Sequence, residues 1–317
     1  MLARWRGAAV VLAIAGAMFA AARARGASAV QQNAGLAAET GRVLIDGVGR
    51  QVTIPRQVNR IVTLAPNLTE TVYALGLQEK LAGDTNECDT PAAAKLKPHV
   101  GDVVSPSLEA IVALRPDLVL ASTSINRPET VEALARLGIP VYTTDAQTVL
   151  QMLDSVQQIA NIAGAPDRGA KFVGQLRARL EAIHARLADQ PVQHVLFVIW
   201  DDPLITIGQN TFIEDALRWA GAESVVLSRQ KWPQLSMEEV LRLQPDYILY
   251  AAHDEESTQT LQDLRARPVW RDLDAVEAGH VLDLSEEALR PSPGLVGVIE
   301  ELARKLHPDA FRDKTGI

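Results

Sequence analysis

Cysteine is almost absent. The 317-residue chain has one, in the stretch NECDTP, so it has no disulfide of its own. Stability must then come from core burial, which so long a chain can supply. Basic charge is scarce too: 31 Lys+Arg stand against 39 Asp+Glu, a formal charge of −8. Four of the basic residues lie in the first 29 positions, and without them the balance is 27 against 39, or −12. That acidic surface argues against nucleic-acid or anionic-membrane binding. Beyond the N-terminal segment no stretch approaches the length of an apolar membrane span. Catalytic signatures are missing as well. There is no G-x-S-x-G, no G-x-G-x-x-G, no G-K-[ST] loop and no H-E-x-x-H. The six His are scattered, so no catalytic set and no metal site emerges. What is plentiful is hydrophobic residues, 47% of the chain, which excludes a disordered or disulfide-knotted protein.

Residues 1–29 have the three parts of a secretory signal peptide. Arg4 and Arg6 form the positive start, Ala8–Ala22 the apolar run, and Ala27 and Ala29 an A-x-A site before Val30. The run is about 15 residues, short for a membrane span. No Cys follows it, so a lipid has no acceptor there. The expectation is a cleaved, soluble, exported chain.

Residues 30–57 read as a polar leader and a hairpin, with VLIDGVGRQVTIP alternating about Asp46-Gly47 and Gly49. From residue 58 to 164, short apolar runs alternate with helical ones. IVTLAP, DLVLAS and IPVYTTD are strands, with helices starting at Asn67, Ser107 and Arg127. Such βα alternation predicts a mostly parallel sheet flanked by helices. Residues 148–188 are helical with a break near Gly164 and Pro166; the second piece carries Phe172, Leu176, Leu180, Ile183 and Leu187 three or four apart. The alternation resumes over 191–317. The fold class is therefore α/β: two lobes, each with a central mostly parallel sheet, joined by one long rigid helix at 165–190.

An internal repeat supports two lobes. SLEAIVALRPDLVL (107–120) matches SMEEVLRLQPDYIL (236–249) at an offset of 129, without a gap, with six of fourteen positions identical. Ser107 and Ser236 are good N-caps, and Glu109 and Glu238 fall in the first turn of each short helix. Taken alone, each Glu is a dipole-compensating residue. Repeated at the same helix start, the two make a pair of acids, one per lobe, able to grip a partner with two basic sites.

A ligand would lie between the lobes, where loops at strand ends meet. The candidates are Asn67 after the first strand, Trp200, Asp201 and Asp202 after the strand opening the second lobe, Trp232, and Arg290 before the last helix. Trp200 and Trp232 sit at element ends, where a flat apolar ligand would use their faces; Trp219 and Trp270 read as packing. Asn67-Leu-Thr69 fits a glycosylation pattern, but Asn67 is better used as a helix cap at the cleft edge.

These segments resemble the periplasmic substrate-binding proteins of ABC importers, in the subgroup with two α/β lobes on a rigid helix that serves vitamin B12, haem and iron–siderophores. RIVTLAPNLTETVYALG, VGDVVSPSLEAIVALRPDLVLAS and TIGQNTFIEDALRWAGAESV carry the likeness, which spans residues 43–309. KWPQLSMEEVL looks most like the vitamin B12-binding members. The resemblance implies that Glu109 and Glu238 dock onto arginines of a permease dimer. It also implies that aromatic residues, here Trp200 and Trp232, lie against a corrinoid. SEEALRPSPGLV departs from the B12 pattern, which has an aromatic residue around Glu286–Glu287, and has the R-P-x-P form shared with haem and siderophore binders. A haem iron would need a Tyr or His, but Tyr73 falls in a helix and Tyr247 and Tyr250 on a strand. A ferric siderophore would need cations, for which Arg127 and Arg290 are available.

The expectation is thus a periplasmic, monomeric receptor that binds vitamin B12 (cobalamin) without chemistry and delivers it to a membrane importer, with a ferric siderophore or haem as the alternative. Remoter alternatives are an exported enzyme using Asp201, Asp202 or His253, and a scaffold with a solid lobe interface.

Overall fold

Asp46 builds the first element. Its carboxylate accepts from the Val48 and Arg50 amides at 3.2 and 2.8 Å, and this turn joins β1 (Gly41–Ile45) to β2 (Gln51–Pro55) as an antiparallel hairpin. The Gly47 amide donates to the Thr143 carbonyl at 2.7 Å. A Cβ at Gly47 would stand 2.6 Å from the Asp145 nitrogen, so only glycine lets the turn dock there. The computed structural model describes residues 41–251 and 261–312. The signal segment 1–29, the leader up to residue 40 and His253 lie outside the described residues.

The first lobe contains β3 (Ile61–Thr63), α1 (Pro66–Ala74), β4 (Leu81–Gly83), α2 (Leu108–Ala113), β5 (Leu118–Ser122), α3 (Pro128–Arg136) and β6 (Val141–Thr144). Its strands are all parallel, in the order β4-β3-β5-β6. Every residue of β5 is buried, as a strand covered on both faces requires. Alternate residues go to opposite faces. Leu118 and Leu120 join the main core, while Val119 and Ala121 pack with Ile111 of α2 and Val131 and Leu134 of α3.

Two helices follow, α4 (Val149–Ile162) and α5 (Pro166–Leu187). Gly164 lies in the left-handed region at φ 79° and Pro166 opens the next helix, which explains the break. Along α5 the buried stripe is Gly169, Val173, Leu176, Leu180 and Ile183; Phe172 and Leu187 are partly buried against the same core. A Cβ on Gly169 would meet the Ala160 Cβ at 2.4 Å, so α4 and α5 touch closely there.

The second lobe contains β7 (Gln193–Asp201), β8 (Leu204–Thr206), α6 (Phe212–Trp219), β9 (Ala222–Ser224), α7 (Met237–Leu243), β10 (Tyr247–Ala251), α8 (Leu261–Ala266), α9 (Asp274–Ala278), β11 (Val281–Leu284) and α10 (Leu295–Leu306). The sheet order is β11-β10-β7-β8, with β9 on the first part of β7, and only the β7–β8 pair is antiparallel. The alternation recurs. Val195 and Phe197 enter the main core; Leu196 and Val198 pack with Val240, Leu264 and the buried Trp270. Trp219 is half-buried, its ring edge-on to His184. The main core is shared: it runs from α1 and α4 through the α5 stripe to α6 and α10.

The repeat extends to the backbone. Ser107 and Ser236 both cap their helices, accepting from Ala110 and Glu239 amides at 3.2 Å. Arg115 and Gln244, at the same repeat position before a proline, are both left-handed, with φ 47° and 40°.

Candidate functional site

Parallel strands end at the same edge of a sheet, and ligands collect outside those ends. In the first lobe that edge carries Ala65–Asn67 after β3, the segment from Asp84 after β4, Ser122–Asn126 after β5 and Asp145–Gln147 after β6. Asn126 stitches this floor together. Its amide nitrogen donates to the Leu64 and Val103 carbonyls at 2.7 and 2.9 Å, and its oxygen accepts from the Ser122 amide at 2.8 Å.

The second lobe meets this edge directly. The Asp215 carboxylate of α6 accepts from the Val149 amide at the start of α4, at 2.8 Å. Asn67 donates to the Pro291 carbonyl at 3.4 Å. The Arg290 guanidinium lies 3.1 Å from Glu70 of α1, 2.5 Å from Glu286 and 4.0 Å from Asp89. Asn67 is therefore not the helix cap expected from the sequence. The helix starts at Pro66, the cap position is Ala65 with no side-chain bond, and Asn67 sits one residue inside, with its amide turned to the other lobe.

Among the described residues, two larger spaces along this junction bear on a ligand. The smaller, about 100 Å³, is lined by Ser122, Thr123, Ser124, Gln147, Lys231 and Trp232, among others. Its hydroxyls are organised: Ser122 and Ser124 share a hydrogen bond of 2.8 Å, and Asp145 accepts from Thr123 and Gln147 at 2.5 and 2.6 Å. The larger, about 600 Å³, is mostly apolar and is lined by residues including Glu70, Tyr73, Pro91, Glu287 and Pro293. Only the larger is of the size usual for a small-molecule site, about 300–1,000 Å³.

The remaining candidates are placed as follows. Trp232 is 50% exposed on the smaller space. Trp200 is 51% exposed at the end of β7, its indole nitrogen donating to the Asp202 carbonyl at 2.9 Å. The Asp201 carboxylate is taken by Arg267, whose guanidinium lies over the Trp270 ring, so it is engaged inside the second lobe. Arg127 is exposed at the start of α3. Tyr73 borders the larger space, whereas Tyr247 stacks on His280 and Tyr250 is buried beside Trp270. Among the described residues no group of three or more His, Cys, Asp or Glu is arranged for a metal ion.

Glu109 and Glu238 are exposed in the first turns of α2 and α7. Neither has a hydrogen bond or ion pair among the described residues, whereas the neighbouring Glu239 is committed to the cap of Ser236. Burial pushes the Glu70 carboxyl up, against the opposing pull of Ser292 and Arg290. Burial likewise raises Asp84 to about 6, although its carboxylate meets His99 Nδ1 at 2.8 Å.

Sequence reasoning missed Glu70, Asp215 and Asn126, which hold the junction and its floor. The run Ser122-Thr123-Ser124 directly after a buried strand was a usable signal for the cleft. Glu70 and Asp215 were not distinguishable from ordinary helix-surface acids.

Two parallel-sheet lobes meeting at their strand ends, carried on one helix and enclosing space between them, define a two-lobed small-molecule binding protein. The chain belongs to the periplasmic binding protein family, whose family model matches residues 61–288. It is 30% identical over 285 residues to an uncharacterized ABC transporter substrate-binding lipoprotein, YvrC of Bacillus subtilis, covering 86% of this chain and 87% of the relative. The periplasmic vitamin B12-binding protein BtuF of Vibrio cholerae superposes with a TM-score of 0.71 at 26% identity, covering 81% of this chain and 99% of that one. The periplasmic haem-binding protein RhuT of Roseiflexus sp. RS-1 does so equally, with a TM-score of 0.71 at 25% identity, covering 80% and 99%.

Proposed function

We propose that the protein is an exported, monomeric periplasmic receptor that binds a corrinoid, vitamin B12, between its lobes and hands it to the permease dimer of an ABC importer. The lobes are residues 58–164 and 191–317, with 165–190 as the strut and 1–29 removed on export. The observation that carries the corrinoid reading is Trp232, a half-exposed ring at the smaller of the two interlobe spaces, open to a ligand seated across the junction. A flat macrocycle would stack on it, with Trp200 at the rim. Asn67 and Arg290 border the ligand from the junction, and Asp201 supports the β7 end beneath Trp200. The same loop that carries Trp232 leads into Ser236 and Glu238, and Glu109 holds the matching place in the other lobe. Two exposed acids, one per lobe and without a partner among the described residues, suit docking onto two basic sites of a permease.

A second reading, haem, is favoured by Tyr73, a residue type able to ligate haem iron, which borders the larger space. A ferric siderophore has less support, because Arg290 is already held by carboxylates. The purified chain is incubated with cyanocobalamin, haem and ferric siderophores, desalted, and read by its visible spectrum. Retained cobalamin colour is the expected result; retained haem or siderophore colour alone sinks the corrinoid reading.

A further inference from the structure

Three carboxylates converge on one guanidinium where the lobes meet. Arg290 has a side chain only 20% exposed, with Glu70, Glu286 and Asp89 within 4.0 Å. Fully ionised, this group carries a formal −2. Glu287 adds a further acid on the wall of the larger space, its carboxylate against Gly294. Glu70 is the partner from the opposite lobe and is itself 8% exposed. The described residues lining the larger space include no Lys or Arg. The smaller space is lined by one cation, Lys231, and Asp145 accepts from its lining residues Thr123 and Gln147. The junction therefore has an excess of negative charge in a partly dehydrated setting, where charges act more strongly than in water.

We propose that Glu70 is a specificity-determining residue: by occupying Arg290 across the junction, it makes the cleft discriminate against ligands that carry negative charge and accept neutral or cationic metal complexes. The inference rests on the cleft being the ligand site, as argued above. In the larger space, whose described lining carries no Lys or Arg, an anionic ligand reaches a cation only by displacing Glu70 from Arg290, which leaves a buried carboxylate unpaired. A neutral ligand leaves the pair intact. Glu70 acts through Arg290, so it is a positioning residue, and its signature is a change in the ratio of two affinities.

The test uses a matched pair: cyanocobalamin, and its monocarboxylic acid, in which one side-chain amide is replaced by a carboxylate. Titration calorimetry on the exported chain is expected to show the acid binding about tenfold more weakly. That gap should narrow in Glu70→Gln and in Glu286→Gln, the second being a half-exposed position that keeps the test alive if the first misfolds. Equal affinity in the unsubstituted protein, or a gap unchanged in both variants, overturns the proposal. If no corrinoid binds, the corrinoid reading fails on its own, and charge selection is read with haem against its dimethyl ester. If that pair also fails, a trianionic ferric catecholate is compared with the cationic ferrioxamine B. Preference for the anionic member of a bound pair, or binding of none of them, overturns the inference.

Discussion

Asp117 and Asp246 perform one task in two places. The Asp117 amide donates to the Arg60 carbonyl at 2.8 Å, and its carboxylate accepts from the Asn59 and Arg60 amides at 2.8 and 2.9 Å. The Asp246 amide donates to the His194 carbonyl at 2.7 Å, and its carboxylate accepts from the His194 amide at 2.8 Å. Each aspartate thus ties the entry of one central strand to the start of the neighbouring strand. The Pro-Asp of the repeat is a strand-aligning device, and its recurrence is what a duplicated lobe requires.

Replacing either aspartate with alanine should cost stability. Each loses charge-assisted bonds to backbone amides at a partly exposed site, so a loss of about 1–2 kcal/mol is expected. Urea unfolding of Asp117→Ala and Asp246→Ala is the measurement, with intact ligand binding at low denaturant. No change in either variant would remove the aligning role.

Charge reversal at Glu109 or Glu238 should leave ligand affinity intact and lower uptake by the assembled importer. Both carboxylates are exposed, and no hydrogen bond or ion pair engages either among the described residues, so the fold does not need them. Uptake into vesicles and calorimetry on the receptor are compared for Glu109→Arg and Glu238→Arg. A large affinity loss in the isolated receptor would place these acids in the ligand site instead.

Truncating the two rim tryptophans should weaken binding. Loss of aromatic packing at Trp200→Ala or Trp232→Ala is expected to cost roughly 1–3 kcal/mol each. Calorimetry reads the effect. Unchanged affinity in one variant takes that ring out of the site.

Asp84 should give stability a pH dependence. Its ordinary value of 3.8 is raised to about 6 by burial, more than His99 and Lys97 pull it down. The folded state then holds the proton more tightly than the unfolded chain. Its contribution is complete below about pH 3.8 and is lost as pH rises through about 6. The loss is at most about 3 kcal/mol. Asp84→Asn cannot titrate, so its stability relative to the parent should rise between pH 4 and 7. A difference that stays flat or falls across that range contradicts the assignment. The Asp84 carbonyl accepts from the Val100 amide at 2.7 Å, and the Val100 carbonyl accepts from Ser107 at 2.7 Å, so the same pair braces the start of α2 and with it Glu109.

Much of this architecture was legible because it rests on local rules. The Asp-Gly turn, the Gly164–Pro166 break and the spacing of Leu176, Leu180 and Ile183 each specify an element without reference to anything distant. Of the three-residue strands, β3 is legible from the longer apolar run IVTLAP that contains it, whereas β4, β8 and β9 are not read from the sequence. The junction was the least legible part. Asn67 looks like a cap by residue type, yet Pro66 starts the helix and frees its side chain to cross to Pro291. Asp201 looks available in sequence because Arg267, its partner, is far along the chain. Arg290 has one partner close in sequence, Glu286, but its pairing with Glu70, 220 positions away, is hidden for the same reason. Pairings over such separations are set by how the lobes come together, which no window of sequence contains.

The strut α5 is gripped along its length, by Gly169 against Ala160 on one side and by Arg179 to Glu300 at 2.8 Å on the other. Both contacts stiffen the joint between the lobes. Under the proposed docking, the interval between Glu109 and Glu238 would then change little between a loaded and an empty receptor. An importer reading only that interval would accept both, so whatever tells it that cargo is aboard must come from the lip of the slot.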